Sequence, residues 1–247
     1  MHTVAIVLPL YKTHPSDSEI LAINNNFKIL IHYTKYIIVP KGFIADEYGD
    51  IFKSNKILYL APHWFRSLNS YNSLMLTEMF YKLFIDYDYI LILQPDTLVF
   101  RDELKEWCTK GYSYIGAPWP KGKFVHPFSF RGHNFLNKLF PFLNKPKKCF
   151  VGNGGLSLRN VKKCILILQK YFLAVKFWSS QEDYFWAYYL NDNGMNFSIP
   201  SEIEASKFAL ELEADQYYLK NSSQLPFGCH AYERYSTDFW KKIIQNI

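Results

Sequence analysis

Short, mostly apolar runs alternate along this chain with longer stretches in which apolar residues recur every three or four positions. The runs Val4–Leu10, Tyr36–Val39, Ile57–Leu60, Tyr89–Leu93, Tyr112–Ile115, Gly155–Leu158 and Phe197–Ile199 are predicted to be strands. The stretches Ser16–Leu30, Ser70–Phe84, Val161–Leu173, Gln181–Leu190 and Thr237–Ile244 are predicted to be helices, with one more just after Arg101. A strand such as Ile90–Leu93, apolar throughout, fits a parallel sheet covered on both faces. Strands alternating with helices predict a layered α/β domain.

With 247 residues the chain reads as one domain over 1–247, in which 118–149 forms an irregular insertion rich in Pro, Gly, Lys and Phe. Within it, Asn134–Leu143 has an amphipathic pattern flanked by lysines. Such a segment suits either an anionic membrane surface or its own domain. No apolar run approaches the roughly 18 residues of a membrane span, and Val4–Leu8 lacks the flanks of a signal peptide. Cys108, Cys149, Cys164 and Cys229 lie far apart, so neither a zinc site nor a disulfide framework is expected, and a reducing cytoplasm is the default.

The net charge of +6 is unevenly spread. No acidic residue occurs between Glu106 and Glu182, a stretch that contains many lysines. A one-sided positive field favours an anionic partner such as a sugar diphosphate or an anionic membrane, although a solvated basic face explains it too. No RNA-binding signature accompanies it, so no nucleic-acid partner is expected.

Ligands of open α/β sheets bind beyond the carboxyl ends of the strands, which directs attention to the residues that follow each run. Pro9 and Tyr11 follow the first strand, where a ring can stack on a base or simply shape a turn. Gln94 and Asp96 follow Tyr89–Leu93; a carboxylate there suits Mg²⁺ or Mn²⁺, or caps the next turn. Asn153, Gly154 and Gly155 suit a backbone that approaches a ligand closely, or a plain turn. Glu182 and Asp183 open a helix whose dipole favours acids in any case. One of them can take a proton from an acceptor hydroxyl, and spacing does not choose between them. His230, close after Gly228, is a metal ligand or a structural histidine. Trp119 and Trp186 are read as apolar platforms for an acceptor sugar, with burial in the core as the alternative.

Five ordered stretches carry a resemblance: Tyr89–Asp102, Tyr114–Trp119, Val151–Arg159, Glu182–Trp186 and Leu225–Ala231. Together they resemble a bacterial and fungal family known as domain of unknown function 5672, grouped with the GT-A glycosyltransferases. The resemblance implies a GT-A-type, Rossmann-like fold with a mixed, mostly parallel sheet flanked by helices. It implies a nucleotide-sugar donor, uridine-linked as a rule, and a metal-binding D-x-D element. Here Gln94 stands at the first acidic position, which leaves Asp96 and His230 as metal ligands. It further implies Asp183 as the base of an inverting transfer, with Glu182 positioning the acceptor. The expected acceptor is a glycan or lipid-linked glycan in bacterial surface polysaccharide synthesis, with the enzyme peripheral on the inner face of the cytoplasmic membrane. Rival readings are a retaining transferase of the same fold, a sugar nucleotidyltransferase, and a non-catalytic glycan- or RNA-binding module.

Overall fold

The structure, a computed structural model, describes residues 2–127, 145–190 and 197–245. The chain opens with β1 (Val4–Pro9), α1 (Asp17–Ile29), β2 (Thr34–Pro40), α2 (Gly49–Lys53) and β3 (Lys56–Leu60). Two short helices, α3 (Leu68–Leu74) and α4 (Glu78–Lys82), lead to β4 (Tyr89–Leu93), β5 (Thr97–Val99) and α5 (Leu104–Thr109). The long strands β6 (Tyr114–Val125) and β7 (Lys147–Asn160) precede α6 (Val161–Lys170), α7 (Phe172–Phe177) and α8 (Glu182–Tyr189). The last part holds α9 (Glu202–Phe208), β8 (Ala209–Leu210), α10 (Ala214–Lys220), β9 (Gly228–His230) and α11 (Thr237–Ile244).

Six strands form one sheet in the order β3-β2-β1-β4-β7-β6. The pairings among β3, β2, β1 and β4 are parallel, whereas β7 runs antiparallel to both β4 and β6. This is the mixed, layered α/β architecture expected from the alternation of runs. The apolar runs are explained by coverage on both faces. Ala5, Val7, Ile90 and Ile92 pack into one core, while Val4, Ile6, Leu91 and Leu93 pack into another on the opposite side. From β1 the chain moves outward to β2 and β3, then returns to place β4 on the other side of β1. The β1/β4 boundary is therefore a topological switch point, where diverging loops leave a crevice.

Four expectations about elements are corrected. The helix predicted over Ser70–Phe84 is two helices, because the Thr77 hydroxyl accepts from the Phe80 amide and starts a new one. The helix predicted over Val161–Leu173 ends at Tyr171, and α7 follows as a separate turn. Residues 197–199 form no strand; Ser198 is instead held by hydrogen bonds to the backbone and hydroxyl of Ser113. The edges of the stretch 118–149 hold strand as well as irregular chain: β6 and β7 extend into it and, past a register shift between Pro118 and Lys123, pair Lys123 with Cys149 and Val125 with Lys147. The amphipathic segment Asn134–Leu143 lies outside the described residues.

A second, small sheet of order β5-β9-β8 escapes sequence patterning altogether. Its strands are two or three residues long, too short to show a period. It nevertheless places the site, since Thr97 pairs with His230 and the Ala231 amide donates to the Asp96 carbonyl at 3.0 Å. All four cysteines are buried and none is joined in a disulfide among the described residues. Among the described residues no helix is long and apolar enough to cross a membrane.

Candidate active site

At the carboxyl ends of β1 and β4 a cleft of about 330 Å³ opens at the switch point. Its walls include Pro9, Tyr11, Gln94 and Asp96, so four residues singled out from the sequence meet there. Tyr11 is 60% exposed, leaving its ring available to stack on a planar group. The sequence reading missed Lys12, Arg66 and Tyr71, which line the same cleft. Lys12 and Arg66 bring positive charge; the Lys12 ammonium bonds Glu19 at 2.7 Å, and that hydrogen bond raises its pKa. The Tyr71 hydroxyl is buried and, among the described residues, makes no hydrogen bond of ordinary geometry; Gln94 is the polar side chain close enough to act on it.

β9 delivers His230 to the same place. Its Nε2 lies 3.3 Å from Asp96 Oδ1 and 3.1 Å from Gln94 Oε1, while Nδ1 lies 2.9 Å from Glu211 Oε2. Burial disfavours a charged ring, but hydrogen bonds to Asp96 and Glu211 outweigh it and lift the His230 pKa to about 9. Burial likewise opposes the charge on Asp96, and the bond from His230 overcomes it, so that carboxyl stays below its ordinary range. Glu211 also accepts from the Asn153 amide. Glu211 follows the two-residue strand β8, which is too short to leave a pattern in the sequence.

The glycine stretch serves close packing of these side chains. A Cβ on Gly155 would collide with the His230 imidazole, and one on Gly154 would fall 2.6 Å from Glu182 Oε1. A Cβ on Gly152 would enter the Trp119 ring. The expectation that Gly154 and Gly155 lie against a bound donor is thus revised: their missing side chains are replaced by protein groups. Asn153 bonds Glu211, so it braces the partner of His230.

The acid pair at the start of α8 is divided by its surroundings. Arg159, fully buried, donates Nη2 to Glu182 Oε1 at 2.7 Å and Nη1 to Oε2 at 3.1 Å. The same guanidinium donates to the Tyr81 hydroxyl at 3.0 Å and, through Nε, to Ser157 at 3.0 Å. Both Glu182 oxygens are therefore committed to a structural pair, which replaces the acceptor-positioning role expected for it. Asp183 is half-buried and in no salt bridge among the described residues. Burial, joined by the neighbouring Glu182 charge, raises its pKa to about 7, with Arg159 and Lys123 acting the other way. Lys123 lies over the rings of Trp119 and Tyr184 at 5.0 and 5.3 Å. No hydrogen bond or ion pair among the described residues joins Asp183 to Asp96 or His230, so only the latter two are brought together directly.

Trp119 and Trp186 are 2% and 0% exposed. Trp186 stacks on Tyr114 and meets Tyr81 edge-on within the core. Both rings are core residues here rather than open sugar platforms, because the apolar face of α8 packs against β6 and β7.

Among the described residues no group of three or more His, Cys, Asp or Glu is arranged to hold a metal. The donor set nevertheless fits a divalent cation shared with a ligand. A 3.3 Å gap between Asp96 and His230 is close to the roughly 3 Å between adjacent ligands of an octahedral ion with bonds of about 2.1 Å. Mg²⁺-type sites commonly use one or two protein groups and take the rest from phosphates and water. Glu211 on Nδ1 holds the ring in the orientation that aims Nε2 at the site.

A family model described as Protein of unknown function (DUF5672) matches residues 54–230. No curated protein matches the chain. Among solved structures, mouse xyloside xylosyltransferase 1 in its apo form is similar with a TM-score of 0.52 and 10% identity, covering 93% of this chain and 97% of that one. An active-site mutant of LgtC is similar with a TM-score of 0.51 and 14% identity, covering 92% of this chain and 86% of that one. WbbM, a bifunctional glycosyltransferase in its apo form, is similar with a TM-score of 0.50 and 12% identity, covering 95% of this chain and 46% of that one. At these identities the likeness is one of fold: the chain has the GT-A glycosyltransferase fold.

Proposed function

The chain belongs to the family described as Protein of unknown function (DUF5672), and from that membership and its fold we propose that it is a glycosyltransferase using a nucleotide-sugar donor. One observation carries the reading: Asp96 and His230 meet at the edge of a partly apolar, partly cationic cleft at the switch point of the sheet. That combination matches a nucleoside diphosphate, with a base for the apolar wall and Tyr11, and phosphates for the cations. A uridine-linked donor is the form we favour, from the family resemblance.

Asp96 and His230, with Gln94 Oε1 beside them, would hold a Mn²⁺ or Mg²⁺ ion. When bound, such an ion offsets the negative charge of a departing diphosphate. Lys12 and Arg66 on the cleft wall act on the same charge. The acceptor hydroxyl attacks the anomeric carbon, the bond from that carbon to the diphosphate oxygen breaks, and Asp183 takes the hydroxyl proton. A carboxylate with a pKa near 7 is suited to accept a proton at neutral pH. One-step displacement inverts the anomeric centre. The acceptor we propose is a glycan or lipid-linked glycan of a bacterial surface polysaccharide.

The test is a thermal-shift screen of nucleoside diphosphates and nucleotide sugars with and without Mn²⁺, followed by turnover of each stabilising donor. Stabilisation by a diphosphate and release of nucleoside diphosphate support the reading. Release of pyrophosphate instead identifies a nucleotidyltransferase, and a retained anomeric configuration by NMR overturns the one-step mechanism. Failure of every donor to stabilise the chain leaves a non-catalytic module as the better description.

A further inference from the structure

We propose that the solvent face of α7, with the adjoining part of α6, is a docking surface for an anionic lipid bilayer. Phe172, Leu173 and Phe177 are 61, 57 and 56% exposed, although large apolar side chains normally turn inward. Their spacing puts them on one side of α7 together with exposed Lys176, while Ala174 on the other side is buried. α6 adds Leu166, 48% exposed, together with the exposed Lys162 and Lys170.

Charge decides the occupant. The two helices lie inside the stretch from Trp107 to Gln181, which has no acidic residue. Among the described residues, the Glu78 carboxylate of α4 accepts from Gln169 at this face, and it is paired with Lys82 at 2.8 Å. Apolar side chains interleaved with lysines suit the boundary between acyl chains and anionic headgroups, where rings insert and ammonium groups stay at the phosphates. A second protein copy is a poorer match, because lysine is depleted at the centres of protein interfaces. The Lys176 ammonium sits 5.8 Å from the Phe177 ring, so charge and apolar surface are presented together.

The surface is tied to the proposed catalytic region. Trp178, just after α7, packs edge-on against Phe185 and donates Nε1 to the Gln181 carbonyl at 2.9 Å, which fixes α7 to the start of α8 and hence to Asp183. Docking would hold that end of the molecule at a bilayer, where a lipid-linked acceptor resides. The docking claim itself does not depend on the transfer reading, since it concerns binding to lipid alone.

The experiment is flotation of the full chain with vesicles of phosphatidylcholine, with and without phosphatidylglycerol, at low and high salt. The expected result is binding to the anionic vesicles only, weakened by salt. Phe172→Ser with Leu173→Ser should lower partitioning at least about tenfold, and Lys176→Glu about fivefold or more, with melting temperatures unchanged because these side chains are exposed. No binding to phosphatidylglycerol vesicles, or equal binding by the variants, overturns the proposal. A dimer in solution that dissociates on the same substitutions overturns it in favour of a second copy.

Discussion

Arg159 grips both carboxylate oxygens of Glu182 from a fully buried position, and this pairing separates two adjacent acids into one structural and one free group. A buried guanidinium without its partner carries a large desolvation penalty. Asp183, one residue on, has no such ion pair among the described residues and keeps its proton to a higher pH.

Glu182→Gln is expected to destabilise the fold by about 3–5 kcal/mol, because it leaves the Arg159 charge buried without a compensating charge. Chemical denaturation should show the loss directly. Asp183→Asn should leave the midpoint close to wild type or higher, yet reduce transfer about 10²- to 10⁴-fold with donor affinity retained. Equal activity in the Asn variant would remove Asp183 from the reaction.

Activity and stability should respond to pH in opposite senses at Asp183. The folded pKa of about 7 lies above the ordinary carboxyl range, so this group's contribution to stability is full below that range and is lost as pH rises through about 7. The base needs the ionised form, so kcat should rise over the same interval. A pH series of melting temperature and turnover checks both, and Asp183→Asn should flatten the stability change.

Removing divalent metal should weaken nucleoside diphosphate binding, and Asp96→Asn should do the same with metal present. Thermal shift with Mn²⁺ and a nucleoside diphosphate gives the readout. Wild-type stabilisation by the diphosphate alone, unchanged by chelator, would count against a shared cation.

Gly155→Ala should perturb His230, since the new methyl occupies the imidazole position. An overpacking cost of about 1–3 kcal/mol is expected, along with loss of the Mn²⁺-dependent shift. The comparison with Gly42→Ala, at a position open to solvent but with positive φ, separates backbone strain from collision with the ring.

Tyr71→Phe removes a buried hydroxyl that has no well-formed hydrogen bond among the described residues, so it should leave stability equal or slightly improved. If that hydroxyl meets the donor, affinity for the nucleotide sugar falls while the fold does not change. Calorimetric titration of wild type and variant distinguishes the two effects.

The strands of the main sheet were largely readable from period alone, because strands covered on both faces must be apolar at nearly every position and that requirement is local. For the same reason Tyr11, Gln94 and Asp96 could be placed at strand ends, and the run of five ordered motifs already pointed to the family. The breaks at Thr77 and Tyr171 were not visible, since a cap or a single dihedral change interrupts a helix without disturbing its apolar spacing.

What joins the candidate site is decided by tertiary structure. His230 reaches Asp96 through β5 and β9, three-residue strands whose pairing is set by long-range contacts and leaves no pattern in sequence. The same holds for Glu211 behind His230 and for Arg159 behind Glu182. A chain of residue types can show that two acids are adjacent at a helix start. Only the packed interior, by pairing a buried guanidinium with Glu182 and leaving Asp183 outside any ion pair among the described residues, determines which of them titrates near neutral pH.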